Sequence, residues 1–213
     1  MNTSKIPLLA AVVFVALFII GTAFLGTPLP VETSAADTVA WLQAHQADVP
    51  VAVVCTALAL IPFLVIVAYV RKALPDTYGY AFLAAAGAFG AQVMVSTWFL
   101  SGAALHADTI DPGTARALLD VGAYFGPVLT TTDVVMAGAV ALAVLKEGVL
   151  PRWLGWLSAV FAIEQVAEMA TIYGRTGFSA PGGGWNNLVG ASLLMVWVLA
   201  LGFALRKPVL PAA

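Results

Sequence analysis

The run IPLLAAVVFVALFIIGTAFLG, residues 6–26, carries no charged residue along its whole length. A membrane span needs about 20 mostly apolar residues, and this run supplies them directly after Lys5. It exceeds the roughly 7–15 apolar residues of a cleavable signal peptide, so we read it as an uncleaved first span.

Working outward, that span extends over 6–27, and runs of the same character follow at 50–70, 79–105, 121–145, 153–174 and 186–205. Of 213 residues, 62% are hydrophobic and only 9% charged, and the mean hydropathy is +0.98. That balance leaves little chain for a soluble domain. The expectation is an all-α, polytopic membrane protein: a single transmembrane domain over 1–213, built as a bundle of six transmembrane helices with a short outer interfacial helix. The lone Cys55 rules out an intrachain disulfide and a cysteine metal cluster.

Charge sets the expected orientation. With a cytoplasmic N-terminus, Lys5, Arg71, Lys72, Lys146, Arg152, Arg206 and Lys207 fall inside, and Arg116 and Arg175 outside. This positive-inside bias places both termini in the cytoplasm, in the bacterial inner membrane. The outer segments hold Glu32, Asp37, Asp48, Asp108, Asp111 and Asp120, together with His45 and His106. Their acidity argues against nucleic acid as a partner.

Local signals refine the picture. Ser34 to Asp37 has the form of a capping box opening a short helix in which Val39 and Leu42 share a face beside Trp41. Asp111-Pro112 reads as an N-cap followed by proline at the first helical position, opening a segment that runs into the fourth span. In the third span Ala84, Gly87, Ala88 and Ala91 form a small-residue stripe suited to close helix approach. Gly126-Pro127 is a candidate kink. The link KEGVLPR, 146–152, makes spans four and five an antiparallel hairpin. The loop GRTGFSAPGGGWNN, 174–187, is glycine-rich but lacks the Gly-Lys-Ser/Thr ending of a phosphate loop. No internal repeat marks an inverted-repeat transporter.

Function rests on AIEQVAEMATIYGR, residues 162–175, which sets two carboxylates inside the fifth span. Glu164 and Glu168 lie four residues apart on one helical face, continued outward by Thr171 and Arg175. Counting about 1.5 Å per residue from the cytoplasmic ends, Glu164, Asp133 and Glu168 stand about 16, 18 and 22 Å up their spans. Gln92, Ser96, Cys55, Thr56 and Ser192 fall at about 19–25 Å by the same count. Converging faces would give an apolar inner half and a polar cavity opening outward.

An ionised carboxylate at mid-bilayer costs about 2.5–3.5 kcal/mol or more, so such a group is normally paired, protonated or beside water. Three close carboxylates repel, which favours proton sharing or a bound cation. The competing reading is structural. Arg175 could reach back to neutralise Glu168, a protonated Glu164 could hydrogen-bond Gln92, Thr130 or Asp133, and Asp133 could cap a helix restarting after the Gly-Pro pair. Binding candidates are therefore Asp133, Glu164, Glu168, Gln92 and Arg175, with no catalytic residue assigned. His45 and His106 could share a metal site, although zinc normally takes three or four protein ligands, so the metal stays open, and no cofactor is expected. Trp98, Trp153, Trp156, Trp185 and Trp197 read as interfacial anchors, as do Tyr124 and Tyr173.

GVLPRWLGWL at 148–157 resembles a segment of uncharacterised bacterial multi-pass membrane proteins, the domain of unknown function 4386 family. TARALLD at 114–120, APGGG at 180–184 and VWVLALGFALRK at 196–207 are similar to the same pattern. The resemblance implies a topology of cytoplasmic turns and interfacial tryptophans and no established activity; the fifth span of that pattern is largely apolar, so Glu164 and Glu168 are departures from it.

Two functions follow. One is binding or transport of a small solute or ion through an outward-facing acidic intramembrane pocket. The other is a non-catalytic subunit, or an assembly or stress factor, of a membrane protein complex. Expected partners are the lipid bilayer, a small solute or cation, and a membrane protein or second copy of the chain. An intramembrane enzyme is disfavoured, because the histidines of CAAX-type proteases and the Gly-x-Gly-Asp element of two-aspartate proteases are both missing.

Overall fold

The computed structural model describes residues 5–26 and 29–206, with the backbone alone at 123–127. Lys207, assigned above to the inner side, and the side chain of Tyr124 lie outside the described residues. In chain order the helices are α1 (Ile6–Leu25), α2 (Ala35–Ala44), α3 (Asp48–Ala73), α4 (Asp76–Leu105), α5 (Pro112–Glu147), α6 (Arg152–Glu168) and α7 (Ala191–Ala204). A 3-10 turn over Met169–Tyr173 extends α6, a second covers Gly177–Ser179, and a π-helical segment over Trp185–Gly190 leads into α7. No strand occurs among the described residues.

Among the described residues, five helical stretches are long and apolar enough to cross a membrane, as a multi-pass membrane protein requires: α1, α3, α4, Val128–Glu147 within α5, and Trp185–Ala204. The run expected over 153–174 differs. Its α-helix has 17 residues, and the backbone tightens into the 3-10 turn at Met169, one residue beyond Glu168. The carboxylates thus sit where the regular helix gives out.

The caps follow local chemistry. Ser34 Oγ accepts from the Asp37 amide at 3.1 Å and donates to Asp37 Oδ2 at 2.7 Å, opening α2. Asp111 accepts from the Thr114 amide at 2.9 Å and opens α5. From there α5 runs 36 residues, about 54 Å at 1.5 Å per residue, through Gly126-Pro127 without leaving helical conformation. Asp133 is therefore mid-helix and caps nothing. Gly148, in the left-handed region at φ 67°, ends α5 and turns the chain into α6.

Neighbouring helices close into a ring: α1 packs on α3, α3 on α4, α4 on α5, α5 on α6, α6 on α7, and α7 back on α1. One end of the ring carries the short links after α3 and α5, the other the long loops, with α2 lying over α5 and α4 at the loop end. On α4 the packed face is Phe82, Ala85, Ala86 and Phe89. The Ala84, Gly87, Ala88 and Ala91 stripe instead faces outward, because large aromatics, not small residues, fill the wide centre of a six-helix ring.

Aromatic packing fills the short-link half. Phe63 lies 5.6 Å from Phe14 and 5.1 Å from Phe89 between ring centroids, and Trp197 lies 5.2 Å from Phe161. Trp197 is fully buried, not interfacial as expected. Its indole Nε1–H donates to Ser158 Oγ at 2.9 Å, and the Ser158 hydroxyl donates to the Leu154 carbonyl at 2.8 Å. That chain explains how a polar ring atom survives in the core. Trp98, Trp153 and Trp156 are exposed and Trp185 is half-buried.

Candidate functional site

Above the aromatic layer the ring holds a cavity of about 350 Å³. Phe18, Phe89, Val93, Leu100, Leu129 and Leu194 give it apolar walls, and Thr56, Ser96 and Thr97 add hydroxyls. Asp133, Gln165, Glu168 and Asn186 form a polar patch, while Trp41, Arg116, Gly182 and Asn187 line it toward the loop end.

The patch is built from three elements. Four-residue spacing sets Glu164 and Glu168 on one side of α6, and Gln165 lies between them. Gln165 Nε2 donates to Glu164 Oε2 and to Glu168 Oε2, each at 2.8 Å. The start of the π-helical segment supplies the other donors. Trp185 Nε1 donates to Glu164 Oε1 at 2.8 Å, and Asn186 Nδ2 to Glu168 Oε1 at 2.5 Å and to Thr171 Oγ1 at 3.4 Å. Gly190, on the same segment, lets this approach happen, since a Cβ there would run into the Glu168 carboxylate. α5 supplies Asp133, which is 3% exposed and within electrostatic reach of both glutamates.

Two acceptors in the patch have no partner. Asp133 Oδ1 and Asn186 Oδ1 are buried without a hydrogen bond among the described residues. Because Asn186 turns its amide nitrogen to a carboxylate that needs donors, its oxygen necessarily faces elsewhere. Unpaired buried acceptors cost about 1–3 kcal/mol each, and both of these belong to side chains that line the cavity.

Among the described residues, no side-chain cation lies in the patch. The ion pairs among the described residues are Arg71–Asp76 and Arg116–Asp120. Arg116 lines the cavity but is engaged by Asp120, the Pro30 carbonyl at 3.3 Å and Thr38 Oγ1 at 3.4 Å. The acidic patch is thus held by neutral N–H donors alone.

Of the residues singled out from the sequence, the structure brings Asp133 and Glu168 onto the cavity. Glu164 is half-buried behind them, tied to Trp185 and Gln165 rather than to Gln92, Thr130 or Asp133. Gln92 stands off the cavity lining, its Oε1 accepting from Thr132 Oγ1 at 3.3 Å. Arg175 is exposed and forms no ion pair with Glu168, because the backbone turn after Glu168 breaks the face the two would share. Ser192 is exposed and Cys55 packs against Gly21. His45 stacks on Trp41, with Nδ1 2.8 Å from the Trp41 carbonyl oxygen, and no group of three or more metal-ligating side chains occurs among the described residues.

Gln165, Trp185 and Asn186 are the participants the sequence reading missed. Gln165 had a signal, an amide between two carboxylates in an apolar run. Asn186 had a fainter one, a polar side chain at the threshold of the last apolar stretch. No family model, curated protein or solved structure matches the chain, and nothing in those comparisons bears on the resemblance drawn from residues 148–157.

Proposed function

We propose that the chain is a six-span protein of the bacterial inner membrane, with both termini cytoplasmic, that binds a small solute or cation in its acidic pocket and carries it across the bilayer. The sixth span is α6 with its 3-10 extension, together about 35 Å long at about 1.5 and 2.0 Å per residue, enough for a hydrocarbon core of about 30 Å. Outward-facing Leu9, Ile61, Ile163 and Leu188 suit lipid contact, and α2 is the outer interfacial helix. The observation that carries the reading is Asp133: a carboxylate 3% exposed, unpaired at Oδ1 among the described residues, on the wall of a cavity whose lining reaches toward the loop end.

The test is a thermal-shift screen of the purified chain in detergent against metal cations and small solutes, followed by flux of any stabilising solute into proteoliposomes. Ligand binding raises the melting temperature by mass action. A response present in wild type and absent in Asp133→Asn and Glu168→Gln supports the pocket; a ligand response that survives both substitutions refutes it.

The second reading, a subunit of a larger complex, has one observation in its favour. The Ala84, Gly87, Ala88 and Ala91 stripe is exposed and fits the close approach of another helix. A partner protein that co-purifies with wild type and is lost on Gly87→Leu would favour that reading over transport.

A further inference from the structure

The pocket's chemistry narrows what it can hold, and the narrowing rests on the binding function proposed above. From the unpaired acceptors, the missing counter-charge and the apolar walls, we infer that the ligand is an organic ammonium ion carrying N–H bonds on a compact apolar body.

The polarity follows from counting donors and acceptors. Gln165 Nε2 is engaged by both glutamates, Asn186 Nδ2 by Glu168 and Thr171, and Trp185 Nε1 by Glu164. Asn187, farther up, donates its side-chain amide to the Gly182 and Gly183 carbonyls. Among the described residues, the buried side-chain atoms left without a partner are both acceptors, Asp133 Oδ1 and Asn186 Oδ1, on side chains that line the cavity beside the Ser96 hydroxyl. A carboxylate ligand would bring acceptors and like charge to these acceptors. A ligand with several N–H bonds brings donors for both oxygens.

Charge follows from the ion pairs. Asp133 and Glu168 line the cavity with no basic side chain on either, and Arg116 is neutralised by Asp120. An anionic ligand would add to the repulsion already present. A cation relieves it.

The walls separate an organic cation from a metal ion. Hard divalent cations take about six to eight oxygen ligands for calcium and near-octahedral oxygen for magnesium. Phe18, Phe89, Val93, Leu100, Leu129 and Leu194 offer none, and no group of three or more metal-ligating side chains occurs among the described residues. At about 350 Å³ the space lies near the lower end of the roughly 300–1,000 Å³ usual for small-molecule pockets. It suits an amine with one ring or a short branched chain.

Four probes of similar size separate these features: benzylammonium, benzyltrimethylammonium, benzyl alcohol and benzoate, titrated calorimetrically into the purified full chain in detergent. Benzylammonium should bind tighter than each of the other three by about ten-fold or more, since a hydrogen bond to a charged group is worth about 1.5–3 kcal/mol. Asp133→Asn, nearly isosteric, should weaken it by about the same factor. Gly122→Leu is the second variant, because Gly122 lines the cavity and, among the described residues, no packed neighbour lies closer than Ser96 Oγ at 4.0 Å from a Cβ there. The new side chain fits on α5 and occupies the space, so benzylammonium binding should disappear. Equal or tighter binding of the alcohol or of benzoate, blocked by Gly122→Leu, would overturn the ammonium assignment and leave the pocket itself standing. Equal binding of the trimethyl probe would overturn the N–H requirement. Benzylammonium binding that is indifferent to both substitutions would overturn the inference and the pocket together.

Discussion

The two ends of the ring treat buried polarity in opposite ways. Toward the short links, Trp197 and Ser158 are both fully buried, and each polar hydrogen is passed on until it reaches the Leu154 carbonyl. Toward the long loops, Asp133 and Asn186 are nearly as buried, yet each keeps an oxygen without a hydrogen bond among the described residues, on a side chain that lines the cavity. The same helices make both halves. On the function proposed above, the completed chain serves packing and the unmatched oxygens serve the ligand.

That contrast can be broken in order of expected effect. Trp197→Ala should cost about 3–5 kcal/mol of unfolding free energy in detergent, the range for truncating a buried aromatic; a loss below about 1 kcal/mol would mean that the short-link half is not a rigid core. Ser158→Ala removes only an oxygen, but strands the indole N–H, and should cost about 1–3 kcal/mol. Gly190→Ala forces a Cβ into the Glu168 carboxylate and should cost about 1–3 kcal/mol. Its destabilisation should shrink when combined with Glu168→Ala, which a double-mutant cycle would read directly. Asp133→Asn, by contrast, deletes no made hydrogen bond and should leave the melting temperature unchanged or higher, within about 1 kcal/mol. Smallest of all, Arg175→Ala should stay within about 0.5 kcal/mol, as expected of an exposed residue with no ion pair. A large loss at Asp133 with little loss at Ser158 would reverse the comparison.

Several features were legible in the sequence because their causes are local. Ser34 and Asp111 cap the helices they were expected to cap, since capping needs only a side-chain oxygen and an amide three residues on. The apolar runs became helices because backbone groups in an apolar stretch must pair internally. The site was legible in part: Asp133 and Glu168 share a cavity, as their matching heights implied. What escaped was rotation about each helix axis. Hydropathy fixes where a helix lies along its axis and leaves open which side faces the centre, so the small-residue stripe on α4 turned outward and Trp197 turned inward. Arg175 escaped because the helix changes to a tighter 3-10 turn after Glu168, and four-residue spacing holds only within an α-helix. Asn186 and Trp185 escaped because they meet the glutamates across a loop, at separations no periodic pattern encodes.

The contact between α7 and α1 has a topological consequence. Gly202 sits so near the first turn of α1 that a Cβ there would lie 2.6 Å from Ala11 Cβ and 2.8 Å from the Pro7 carbonyl oxygen. The ring is therefore seamless, and any of its short links could serve as the place where the polypeptide starts. A circular permutant joining the region after α7 to the region before α1 by a flexible tether, and opened within 148–151, would trace the same six-helix circuit around the same central space.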